Sequence, residues 1–288
     1  MNASSPLPFR PAVWPVFVAY VVSFLLVLFA SIALVLGVAA LQTRGEGPAA
    51  LSAAALKFAL SPYGILSAAV VSEGTFLGVA VVTAALLGRD LRAQLRVGPS
   101  RATPVGFAAA IVGTVALSLA AGAATELLPF RPPGGTMEQI ASSLAHASAP
   151  LFVLAVVILG VAPGIAEETF FRGFMQTRLA ARLGRWPGIV IAASLFGLVH
   201  LDPLQSPLAF LLGLYLGWGA ERLGSIRPSV VAHAANNALF VAVACVRDGA
   251  GVEKNAREDA ALVAGAGVVF ILCAVTMHSR FAVRDPAP

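Results

Sequence analysis

From Trp14 to Leu41 the chain reads "WPVFVAYVVSFLLVLFASIALVLGVAAL", a run of 28 residues without a charge. As a helix this run is about 42 Å long at ~1.5 Å per residue, more than the roughly 30 Å hydrocarbon core of a bilayer. No water-soluble fold of this size accommodates several such segments, and the rest of the chain supplies more of them. Hydrophobic residues make up 58% and charged residues 11% of its 288 positions, with a mean hydropathy of +0.87. A soluble domain carries about 25% charged residues. The expected class is therefore an all-α, polytopic membrane bundle. Arg10 precedes the first run, but the run far exceeds the apolar core of a signal peptide, so it reads as a retained first helix.

Eight segments qualify as spans or near-spans: 14–41, 63–88, 104–128, 150–177, 187–201, 204–221, 226–246 and 258–279. The fifth is short. It is parted from the sixth only by "LDPLQSP", where Pro203 and Pro207 end helices, so the pair reads equally as two spans or as a hairpin that does not cross fully. With the N-terminus inside, the inner connections hold twelve Lys and Arg residues and the outer ones six. The positive-inside rule then places both termini in the cytoplasm and the protein in the cytoplasmic membrane. The basic balance is thus one of topology, and no basic and aromatic array of the kind that binds nucleic acid is present. Cys245 and Cys273 lie in apolar helices without metal-type spacing and read as packing residues.

The chain divides into N-terminal helices and connections (1–149), a core (150–246), and a last loop, helix and tail (247–288). The longest connections, 42–62 and 129–149, are rich in Ala, Ser, Gly and Pro, and "GPAALSAAALKFALSP" reads as a helix at the membrane interface. Gly213 and Gly217 in "GLYLGWGA" fit close helix packing. Neither short tandem repeats nor two-half symmetry of the transporter kind is seen.

Ionisable groups inside a membrane are costly and mark functional candidates. Three clusters stand out: "EETFFR" with Glu167, Glu168 and Arg172; "FGLVH" from Phe196 to His200; and "HAANN" from His233 to Asn237. Glu168 and Arg172 are i and i+4, on one helical face and in the favourable order of acid before base. Glu167 points about 100° away, free to face a cavity, where burial suits a carboxyl to general-base work. His233 and Asn237 repeat the i, i+4 spacing and offer hydrogen bonds to a developing oxyanion or ligands to a metal. His200 adds an imidazole, with Phe196 packing one turn earlier. Glu167 and His233 lie at similar depth, roughly 15 Å and 10 Å from the inner side. His200 falls at the far end of the fifth segment, which must be tilted and recessed, or differently bounded, for it to join them.

Other polar residues have blander readings. Glu73 sits inside the second apolar segment, where it lines the cavity or, by the simpler reading, pairs with an arginine or a hydroxyl. Glu126 is near an outer helix end. His146 and His278 lie in or near connections.

EExxxR, FxxxH and HxxxN, in this order on successive apolar segments, resemble the three motifs of the CPBP family: the type II CAAX prenyl endopeptidases, their bacterial Abi relatives and bacteriocin-processing homologues. The resemblance covers roughly 150–246. It implies an intramembrane endopeptidase with eight helices and a site opening toward the cytoplasm. By that analogy Glu167 and His200 activate the attacking water, His233 and Asn237 form the oxyanion site, and Glu168 with Arg172 and Phe196 support them. The family has been described both as metal-dependent and as metal-free. Glu167, His200 and His233 are thus also candidate ligands of a divalent metal such as zinc, though a zinc site has three or four good ligands. The expected partners are membrane lipids and a peptide or protein substrate, lipidated or not. Two other classes stay open: a non-proteolytic scaffold or immunity protein of the same fold, and a proton-coupled transporter.

Overall fold

A computed structural model describes residues 11–88, 90–129, 135–246 and 256–281. Of the charges that set the expected orientation, Arg10, Arg89, Arg131, Arg247, Lys254 and Arg284 lie outside the described residues. The chain forms α1 (Trp14–Thr43), α2 (Pro48–Ala59), α3 (Pro62–Leu87), a single turn α4 (Leu91–Gln94), α5 (Pro104–Glu126) and α6 (Thr136–Leu144). There follow α7 (Ala149–Leu183), α8 (Arg185–Leu198), α9 (Gln205–Leu223), α10 (Arg227–Val246) and α11 (Ala256–Arg280).

Local sequence explains many of the boundaries. Pro62 and Pro104 stand in the first turns of α3 and α5, where the missing N–H is no loss. The Ser61 hydroxyl accepts from the Gly64 N–H at 3.1 Å and caps α3. Gly184, at φ +96°, breaks the chain between α7 and α8 in a conformation that a side chain would strain.

Six helices, α1, α3, α5, α7, α10 and α11, are long and apolar enough to cross a membrane, so the chain is a multi-pass, all-α bundle. The expected count of eight is not reached among the described residues. α8 has only 14 residues, about 21 Å, too short to cross. α9 keeps polar residues at both ends, Gln205 and Ser206 at one and Glu221 and Arg222 at the other. The two pack on each other as a hairpin, and the fifth segment ends before His200 rather than running through it.

α7 is not regular. Val156–Val161 and Glu168–Gln176 are π-helical, with i→i+5 bonding that widens the helix. Pro163, which has no N–H to give, follows the first of these stretches, and widened turns of this kind gather at functional sites. The second stretch contains the acid-rich motif.

Three buried clusters hold the bundle. Phe76, Phe170, Phe171, Phe174 and Phe196 join α3, α7 and α8, with Val16 and Ala19 of α1 behind them. Tyr215, Leu216, Ala109 and Met277 join α5, α9, α10 and α11, with Cys273 against them. Leu66, Leu144, Ala155 and Val241 form the third, which Cys245 packs against. The cysteines are free thiols in packing positions, as expected.

Lipid gives apolar helices no reason to prefer each other, so close backbone approach matters. Gly160 and Gly164 of α7 supply it: a Cβ on Gly164 would lie 2.8 Å from both the Ala234 Cβ and N, and one on Gly160 would lie 3.0 Å from the Ala238 Cα. This contact seats α7 against α10. Gly164→Ala is therefore expected to destabilise the fold by about 1–3 kcal/mol, the usual range for overpacking. A thermal unfolding scan in detergent should show the lowered midpoint, and a midpoint equal to the wild type would refute close approach at this position.

A polar network ties the ends of α7 and α9 to the segment after α4. Arg96 forms a two-pronged buried ion pair with Glu221, whose Oε1 also accepts from Gln176 Nε2 at 3.0 Å. Gln176 Nε2 donates in addition to the Gly217 carbonyl at 2.9 Å, and Arg178 donates to Gln94. Gly217 thus serves side-chain recognition as well as helix packing. His278, read as a solvated residue of a connection, stands in the last turn of α11, where its Nδ1 lies 2.8 Å from Arg222 Nη2.

Candidate active site

The three sequence clusters converge. α7 carries Glu167, Glu168 and Arg172, the end of α8 carries Phe196 and the turn beyond it His200, and α10 carries His233, Asn236 and Asn237. The Gly164–Ala234 contact lies three residues before Glu167 and one residue after His233, which explains why acid and imidazole meet.

Glu168 and Arg172 pair as the i, i+4 spacing predicts, with Nη1 at 2.8 Å from Oε1 and both side chains buried. This is a close charge contact rather than an aligned hydrogen bond, for neither Arg172 terminal nitrogen has a well-directed acceptor. The guanidinium instead lies over the Phe196 ring, 4.2 Å from its centroid, a cation–π contact strengthened by desolvation. Glu168 Oε1 also meets His233 Nδ1 at 3.0 Å. The expected ion pair is thus a triad, Arg172–Glu168–His233. A carboxylate can only accept, so Nδ1 of His233 carries the proton and its Nε2 turns toward Glu167. There it lies 3.6 Å from Oε2, beyond hydrogen-bonding distance.

Phe196 is the floor of the site. Its ring meets His200 edge-on at 5.1 Å and His233 at 5.9 Å, and Phe171 packs against it at 5.1 Å. His200 Nδ1 lies 2.8 Å from the Phe196 carbonyl oxygen. A carbonyl accepts only, so Nδ1 is the donor, and in the neutral ring the lone pair falls on Nε2. The imidazole is thereby set up as a proton acceptor.

Asn237 lies one turn beyond His233, and its Oδ1 accepts from Asn236 Nδ2 at 3.2 Å. That leaves the Asn237 amide N–H groups as donors, the polarity an oxyanion requires. Asn236, the other amide of "HAANN", thereby orients its neighbour, a role that the motif spacing alone does not signal. Glu73 on α3 is buried, and its Oε1 accepts from the Ser72 hydroxyl at 3.0 Å, the hydroxyl pairing expected of it.

Immediately after His200, Asp202 fixes the connection to α9. Its Oδ1 accepts from the N–H groups of Leu204 at 2.9 Å and Gln205 at 2.8 Å, and its Oδ2 accepts from the Thr136 N–H at 2.9 Å. Burial pushes the Asp202 carboxyl up, but the bonds from Gln205, Thr136 and Leu204 together outweigh it and hold the group below its ordinary value. The contribution to stability is then full above the unfolded value of about 3.9 and is lost as pH falls through the lower folded value. Asp202→Ala should cost about 1 kcal/mol, as for a lost helix cap. Unfolding measured at pH 7 should show this loss, and an unchanged midpoint would refute the tether.

A resident zinc ion calls for three or four good ligands, and such a group would include the metal-ligating side chains of the site. Among the described residues no group of three His, Cys, Asp or Glu side chains converges to hold one. The bonds at Nδ1 of His233 and His200 orient both rings and leave each Nε2 open. Glu167 and the imidazoles are groups able to transfer protons, and Asn237 on α10 is a hydrogen-bond donor.

Neither a curated protein nor a solved structure matches the chain. Residues 149–239, which run from the start of α7 into α10 and hold every residue of the three motifs, match the family model of the type II CAAX prenyl endopeptidase Rce1-like proteins. Over this segment, about a third of the chain, the sequence is similar to the type II CAAX prenyl endopeptidases.

Proposed function

We propose that this protein is an intramembrane endopeptidase that cleaves a peptide bond in a membrane-associated peptide or protein by attack of activated water. The observation that carries the reading is the burial of Glu167 beside an Arg172–Glu168–His233 triad, on a phenylalanine floor shared with His200. The Glu167 carboxylate, with His200 beside it, takes a proton from water as the oxygen bonds to the carbonyl carbon and the carbonyl electrons move to oxygen. The Asn237 amide donates to that oxyanion, joined by His233 when its Nε2 also carries a proton. Collapse of the tetrahedral species breaks the C–N bond, and the departing nitrogen receives the proton held by Glu167. Glu168 and Arg172 hold His233 and Phe196 in place.

The substrate class is a segment reaching the membrane, of the CAAX type or a leader peptide. The site opens toward the cytoplasm, and both termini lie there. A buried charge-paired triad also suits the rival reading, a non-catalytic scaffold of the same fold. Cleavage of a quenched panel of CAAX-type and leader peptides by the purified protein separates them. Turnover of at least one peptide that survives chelation and disappears in Glu167→Ala supports the peptidase. Wild type and variant equally inert, with both complementing a cellular phenotype, would establish the scaffold.

A further inference from the structure

Glu73 is an acid that the family motifs leave without a task. It lies in the middle of α3, buried, and only one of its two oxygens is bonded: Oε1 accepts from Ser72, whereas the buried Oε2 has no partner among the described residues. The helix that carries it packs against α7. Phe76, three residues beyond Glu73, meets Phe170 at 5.2 Å and Phe171 at 5.7 Å between ring centroids. Phe170 stands three residues beyond Glu167. The two helices thus share a register in which Glu73 comes opposite Glu167. The helices run in the same direction, for Leu66 near the start of α3 clusters with Ala155 in the first part of α7, and α3 packs on the Ala162–Glu167 stretch.

Charge balance points the same way. The site holds three buried carboxyl groups, Glu73, Glu167 and Glu168, against one guanidinium, Arg172. Arg172 is committed to Glu168. Two further ionised carboxylates in a water-poor interior would repel each other at low dielectric, and neighbouring acids in that position retain one proton between them.

We propose that Glu73 and Glu167 form a carboxyl pair holding a single proton, in which Glu73 donates a hydrogen bond through Oε2 and positions Glu167 toward the attacked carbonyl. The role in cleavage rests on the peptidase reading above, whereas the pair itself does not. Glu73 is a positioning residue: it keeps its proton throughout and forms no bond to substrate. It fixes the carboxylate of Glu167 and leaves the other oxygen of that group for the water.

Two measurements on the full-length purified protein test this. Infrared difference spectra at pH 7 should show the C=O stretch of a protonated carboxylic acid in the wild type and lose it in Glu73→Gln. No such band in the wild type, or one unchanged in the variant, overturns the pair whether or not any peptide is cleaved. For turnover, Glu73→Gln keeps a donor facing Glu167 and should retain kcat within about threefold. Glu73→Leu should lower kcat about 10- to 100-fold with KM little changed, as for loss of one hydrogen bond to a charged group. A purely structural Glu73 predicts the opposite for leucine, since an apolar side chain of similar size is tolerated at such a site. Full kcat in Glu73→Leu with an unchanged thermal midpoint would therefore refute the positioning role. If the wild type cleaves nothing while the band behaves as expected, the peptidase reading fails and the pair stands.

Discussion

Replacing Glu167 by glutamine is expected to lower kcat by about 10²–10⁴-fold, the usual contribution of a general acid–base group, with the fold intact. The carboxamide is nearly the same size as the carboxylate but takes up no proton from water. It also leaves the Arg172–Glu168–His233 triad untouched, because Glu167 contributes to none of its contacts shorter than the 3.6 Å approach to His233 Nε2. Steady-state cleavage of a responsive peptide, with thermal unfolding of the same preparation, separates chemistry from folding. Retention of more than about a tenth of kcat would remove Glu167 from proton transfer.

Arg172→Met should have the opposite character, a loss of stability that carries activity with it. The guanidinium is buried against Glu168 and stacked on Phe196. Removing it leaves Glu168 as an uncompensated charge away from water, a change that costs about 3–5 kcal/mol in buried pairs. The double variant Arg172→Met with Glu168→Gln removes both charges and should recover a large part of that loss. It should not recover activity, because an amide in place of Glu168 no longer anchors the proton on His233 Nδ1 as a carboxylate does. Thermal midpoints of the two single variants and the double variant supply the cycle. A midpoint for Arg172→Met within error of wild type would show that the pair carries no net stability.

The different outcomes expected for neighbouring residues follow from what α7 does to them. Glu168 and Arg172 face the triad from within a π-helical stretch, whereas Glu167 closes the α-helical stretch before it. The change of helical pitch falls between the two glutamates, so Glu168 meets Nδ1 of His233 and Arg172 while Glu167 lies toward Nε2 of the same ring. Spacing at 3.6 residues per turn foresees their divergence but not the widened turns, since π geometry depends on packing along the whole helix.

Sequence by itself determined what is local. Uncharged runs longer than a bilayer is thick fix an all-α membrane bundle, because only internally bonded helices or closed barrels satisfy the backbone in lipid. The i, i+4 interval fixes the Glu168–Arg172 pair, and three ordered motifs carry the resemblance to the CAAX endopeptidases. Whatever joins distant segments was decided only by tertiary structure. The His233 bond to Glu168 spans 65 positions, and the contact of Arg172 with Phe196 depends on α8 ending short. His200 left the fifth span because α8 stops at Leu198, a boundary that hydropathy blurs since Val199 and Leu201 are as apolar as the helix before them. Arg96 and Glu221 look like ordinary charges at helix ends, yet they are buried together because two separate chain segments close over them. Apolar periodicity reports how much of a helix avoids water, and in lipid nearly every face does. The choice of neighbours therefore fell to glycine contacts and buried polar groups, whose partners only the folded chain reveals.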